Sequence, residues 1–93
     1  MQFSDLKFTE TKIPKGIHAE VKFGEYSLSV IKNEMSYGNK SGLYEIAAFK
    51  GKEQVVLPGI TEEEDTVKGF LTEQEVSVIL LKMSTITQTN GTQ

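Results

Sequence analysis

Gly38-Asn39-Lys40-Ser41-Gly42 is the stretch of this chain nearest in form to a chemical motif. Glycines around a Lys-Ser pair could cradle a phosphate through backbone amides, with the ammonium on its oxygens. A phosphate loop also needs glycine directly before the Lys-Ser pair and a helix directly after it. Here Asn39 precedes Lys40, and a strand pattern follows. The bland reading is a strand connection that happens to be rich in glycine; the functional one is a mobile binding loop that presents Tyr37, Asn39 and Lys40. Loops on a rigid sheet carry binding residues, and tyrosine offers a large amphipathic surface.

Glu62, Glu63, Glu64 and Asp65 form the second candidate. Adjacent carboxylates could hold a cation or imitate a phosphate backbone. A calcium loop alternates its ligands around a glycine, which this run does not do. Glycoside cleavage needs two carboxyl groups facing each other across a cleft, which adjacent acids do not promise. The bland reading is a solvated loop ahead of a helix. His18 is the one histidine and falls on the polar side of a strand; with no cysteine beside it, a metal site is not expected. No serine stands in a nucleophile elbow, so acyl transfer lacks its constellation. The expectation is a non-enzymatic chain without cofactor or metal, with Tyr37, Asn39, Lys40 and the acids 62–65 as contact residues.

Ninety-three residues make a single domain with room for one modest core. The net charge of −3 speaks against non-specific binding to a phosphate backbone. The chain has no arginine, the preferred side chain for bidentate recognition of phosphate and guanine, and its lysines are dispersed among acids. Nucleic acid is therefore not the expected partner. Met1-Gln2-Phe3-Ser4-Asp5 lacks the basic and apolar regions of a signal peptide, and no apolar run approaches the roughly 20 residues that span a bilayer. The expected location is cytoplasmic, away from membranes.

The elements that must position these residues begin with a hairpin. Ile17, Ala19, Val21 and Phe23 alternate with polar residues, and so do Tyr26, Leu28 and Val30. Gly24-Glu25 between them fits a type II′ turn, in which glycine takes the positive φ. Phe23 then faces Tyr26, Val21 faces Leu28 and Ala19 faces Val30. Further strands are predicted over 3–8, 43–49 and 54–57, with Pro58-Gly59 ending the last. Thr72-Glu73-Gln74-Glu75 has the form of a capping box, and Val76, Ile79, Leu80 and Met83 then form one helical stripe. A helix over 73–86 follows, and the polar residues 87–93 are expected to form a disordered tail beyond a domain of 1–86. The fold class is α+β: an antiparallel sheet of four to five strands, built of hairpins and packed by one C-terminal helix. The strand 43–49 is apolar on both sides, and one helix covers only one of them. The other side needs the N-terminal segment, a second subunit or a partner, so a homodimer or partner interface is expected there.

Tyr26–Val30, Ser36-Tyr37-Gly38, Gly42–Phe49 and Val67–Val76 together resemble a group of small uncharacterised proteins of tailed bacteriophages. The likeness covers roughly residues 24–83. It implies a phage product acting in the cytoplasm of an infected bacterium. The expected function is a small interaction factor that modulates or inhibits a host or phage protein. The alternative is a nucleotide- or ligand-binding module, or an enzyme, using the loop Tyr37–Gly42.

Overall fold

A computed structural model describes residues 1–91. Among the described residues, six strands and one α-helix follow in chain order: β1 (Thr9–Lys12), β2 (Lys15–Phe23), β3 (Tyr26–Asn33), β4 (Tyr44–Lys50), β5 (Glu53–Gln54), β6 (Val67–Leu71) and α1 (Glu73–Gly91). The strands form one antiparallel sheet in the order β1-β2-β3-β4-β5, and β6 also pairs with β4. Helix α1 packs on one face, which makes the two-layer α+β fold that the patterning requires.

The β2–β3 hairpin has the register its alternation dictates, with Phe23 opposite Tyr26, Val21 opposite Leu28 and Ala19 opposite Val30. Gly24 has φ 65° while Glu25 is not left-handed, as a type II′ turn demands. On β4, Tyr44, Ile46 and Ala48 join Leu28 and Val30 on the helix side. Val76, Ile79, Leu80 and Met83 of α1 close over them. The capping box is complete: Glu75 N–H donates to Thr72 Oγ1 at 3.1 Å and Thr72 N–H donates to Glu75 Oε1 at 2.9 Å. The bond from the Thr72 amide, with a further one from the Thr72 side chain to the carboxylate, holds the Glu75 carboxyl below its ordinary pKa.

Several boundaries differ from the sequence expectation. Residues 3–8 are no strand. Phe3–Asp5 is a 3-10 turn whose Phe3 N–H donates to Ser77 Oγ on α1 at 2.7 Å. The Phe3 and Phe8 rings lie 5.0 and 5.9 Å from that of Tyr44, so burying aromatics against the core outweighs strand pairing here. The edge strand comes later, at β1, joined to β2 by a tight turn with a cis Ile13–Pro14 bond. The strand expected over 54–57 shrinks to β5, because the chain turns away to bury Ile60. Strand β6 has no counterpart in the sequence expectation. Helix α1 runs past Ile86 to Gly91, since each added residue brings a hydrogen bond without a new nucleation cost. Of the expected tail 87–93, Thr92 and Gln93 lie outside the described residues.

Between β5 and β6, residues 55–66 form a closed loop. Val55 N–H donates to Ala48 O at 2.9 Å and Ala48 N–H donates to Thr66 O at 3.1 Å, so one residue of β4 holds both ends. Gln54 Nε2 donates to Thr66 Oγ1 at 2.7 Å across the neck. Ile60 plugs the core from this loop, and Thr61 Oγ1 ties back to the Leu57 backbone. The N-terminal segment lies on the helix side. Of the coverings left open for the opposite face, the chain's own N-terminus is therefore not the one. Ile31, Ala47, Phe49 and Val67 remain half-buried there.

Leu28 and Leu80 are both fully buried in one cluster. Leu→Ala at either should lower stability by about 2–5 kcal/mol, read from urea unfolding. A loss as small as that of a surface change would show that the helix does not pack as described.

Candidate functional site

The loop after β3 is built to hold Tyr37. Asn33 Oδ1 accepts from Met35 N–H at 2.8 Å, and Asn33 N–H donates to Ser36 Oγ at 2.9 Å. Ser36 is buried, while the Tyr37 side chain stands out from the surface. Asn39 and Lys40 then turn through a 3-10 segment, Asn39–Ser41, before β4 begins. A short turn leading into a strand is not the long helix that a phosphate loop needs.

The second half of the site comes from an irregularity in β6. Tyr44 pairs with Leu71 and Ile46 with Lys68, so the single residue Glu45 faces both Gly69 and Phe70. This is a β-bulge. It places Val67 on the face away from α1 yet sends Leu71 into the core. Phe70 takes φ 57°, the left-handed region that a bulky side chain rarely enters. Phe70 N–H donates to Tyr37 O at 3.3 Å, which ties the two segments together. A Cβ on Gly69 would lie 2.5 Å from Tyr37 Cβ, so only glycine lets the loop pass this close.

The outcome is a pair of exposed aromatic rings. Tyr37 and Phe70 are each 62% exposed, with centroids 6.5 Å apart and planes inclined by 21°. They border a groove of about 450 Å³ that is also lined by Glu62, Asp65, Val67, Lys68 and Gly69. Lys68 Nζ lies 3.9 Å from Glu62 Oε1, a solvent-exposed pair of small energetic weight. Tyr37 N–H donates to Glu45 Oε1 at 3.3 Å. Glu45 is only 8% exposed, and burial raises its pKa; the Tyr37 amide opposes that shift and the charge of Asp65 adds to it.

Of the residues singled out by sequence, the fold brings Tyr37, Glu62 and Asp65 to one groove. Glu63 and Glu64 are exposed on the same acidic turn, where Glu64 has φ 61°. Asn39 and Lys40 are not part of the groove lining. Sequence reasoning missed Phe70, Gly69, Lys68 and Glu45. Val67-Lys68-Gly69-Phe70-Leu71 carries no clean alternation, since Phe70 and Leu71 are adjacent apolar residues; a regular strand would also put Val67 and Leu71 on one face, and the bulge reverses that. His18 lies half-buried on the sheet, opposite Ile31. Among the described residues no group of acids, histidine or cysteine is disposed to hold a metal, and no helix is long and apolar enough to cross a membrane. No family model matches the chain, and neither a curated protein nor a solved structure matches it.

Phe70→Gly removes the ring and the left-handed strain together. The strain relieved, about 1–2 kcal/mol, offsets the packing that the ring supplied. Urea unfolding should show a change within about 1 kcal/mol, against the roughly 3–5 kcal/mol of a phenylalanine truncated in a core. A loss on the core scale would mean that Phe70 is a structural residue. A further prediction concerns Glu45, whose folded-state pKa lies above its unfolded value. The folded chain therefore binds more protons in that window, and stability falls as pH rises from the ordinary carboxylate value through the raised one. Glu45→Gln keeps an oxygen for the Tyr37 amide and removes this slope. As pH rises above the ordinary carboxylate range the wild type should lose stability relative to the variant; parallel curves would show that the carboxyl is not desolvated.

Proposed function

We propose that this chain is a small non-enzymatic interaction module whose docking surface is the Tyr37–Phe70 ridge and the groove beside it. The observation that carries the reading is that two large aromatic rings are held in solvent by backbone devices, a bulge, a left-handed phenylalanine and a glycine that admits close approach. Strain of this kind is kept where the surrounding structure imposes it, and functional sites are where it gathers. Exposed tyrosine and phenylalanine are the residues that anchor protein interfaces. The groove is lined by exposed acids, while the Glu45 carboxyl, with its raised pKa, sits under the bulge, bonded to a backbone amide. That arrangement suits docking better than proton transfer to a bound small molecule.

The partner is taken to be a different protein. A second copy of this chain would bring the same excess of acids at 62–65 to the contact and no complementary excess of positive charge, which disfavours self-association through this groove. The resemblance to tailed-phage proteins supports a partner of host or phage origin in the bacterial cytoplasm, and a role in modulating it.

The test is site-directed photocrosslinking in bacterial lysate, with benzoylphenylalanine in place of Tyr37 and, as control, in place of Val78 on the exposed side of α1. A discrete adduct from the Tyr37 position, absent from the control and lost on Phe70→Ala, is the expected result. No adduct, or one shared with the control, would overturn the reading.

A further inference from the structure

The chemistry of the groove narrows the kind of partner. Aromatic faces carry the negative side of the ring quadrupole, and a cation within about 6 Å of a ring centroid is attracted to it. Here two such rings stand side by side and nearly parallel. The charged residues from 62 to 68 are four acids and one lysine. That lysine, Lys68, is already 3.9 Å from one of the acids, Glu62. Asp65 lines the same groove, with its Oδ1 accepting from Thr66 N–H at 2.7 Å, a bond that fixes its side chain on the turn. Glu63 and Glu64 extend the negative surface on the exposed turn between them. Aromatic faces and unbalanced carboxylates favour the same ligand charge.

We propose that the Tyr37–Phe70 groove receives a basic side chain, arginine before lysine, from a polypeptide partner. The inference rests on the interaction reading above and gives it a ligand. Arginine is preferred because its planar guanidinium stacks on an aromatic face and at the same time offers donors to a carboxylate at the rim. Lysine brings the charge without the plane. An acidic or phosphorylated segment meets repulsion from the acids 62–65.

The test is a nuclear magnetic resonance titration of the full, nitrogen-15-labelled chain with a blocked Gly-Ser-Arg-Ser-Gly peptide. Counterparts carrying lysine, glutamate or citrulline, the neutral isostere of arginine, serve as comparisons. The arginine peptide should give saturable shifts at the amides of Tyr37, Gly69 and Phe70. The lysine peptide should bind more weakly, and the citrulline and glutamate peptides should not saturate. Tyr37→Leu should weaken the arginine peptide about tenfold, the size of one good cation–ring interaction together with its packing. Asp65→Asn should weaken it as well, and both variants should keep the dispersed spectrum of the folded chain. Equal shifts from citrulline, shifts mapping away from the groove, or no saturable shift would overturn the proposal. A Tyr37 crosslink to a partner segment without lysine or arginine would overturn it too, while leaving the interaction reading in place.

Discussion

Both ends of the loop 55–66 are hydrogen-bonded to the backbone of one residue, Ala48, and the rest of the structure depends on that junction. Ala48 sits on β4 with its side chain in the core and its outer edge shared between the start and the end of the excursion. Because the neck is closed there, Ile60 is delivered under the sheet. The chain then returns to β4 as β6, with the acids 62–65 on the turn just before it. Gln54 and Thr66 close the same neck with side chains. A loop with its ends this near costs little closure entropy once β4 is in place, and the burial of Ile60 offsets it.

The return strand explains the strain at the site. Leu71 must enter the core opposite Tyr44, while Val67 pairs with Ala47 on the other face. Regular alternation cannot satisfy both, because residues four apart on a strand share a face. One extra residue is inserted, and Gly69 and Phe70 together face Glu45. Phe70 enters left-handed space, and its ring leaves the sheet. The exposed aromatic is thus a by-product of core registry as much as a surface feature. Glu45, beneath the bulge, keeps a hydrogen bond to the Tyr37 amide and so ties the β3–β4 connection to the same place.

The two faces of the sheet have different characters as a result. On the helix side, aliphatic side chains and the Phe3–Phe8–Tyr44 aromatic group give a closed core. On the other side the polar residues of β2, half-buried apolar residues and the aromatic ridge share the surface. Stability lies in the first, and the proposed recognition in the second. Changes to the ridge can therefore be tolerated by a fold whose core they do not touch.

Patterns that depend on neighbours along the chain are legible in the sequence itself. The β2–β3 register, the turn at Gly24, the cap of Thr72 and Glu75 and the stripe from Val76 to Met83 all follow from local periodicity and local hydrogen bonds. The α+β class follows from them, and so does the exposure of Tyr37, Glu62 and Asp65 on connections between elements. What the tertiary structure alone decided is where distant segments meet. Phe3 and Phe8 leave the strand pattern to pack on Tyr44, β6 joins an edge that β5 has already begun, and the bulge sets Phe70 beside Tyr37. Each of these is a competition between burial and alternation, settled by which surfaces remain open once β4 is paired. Local sequence does not contain that information.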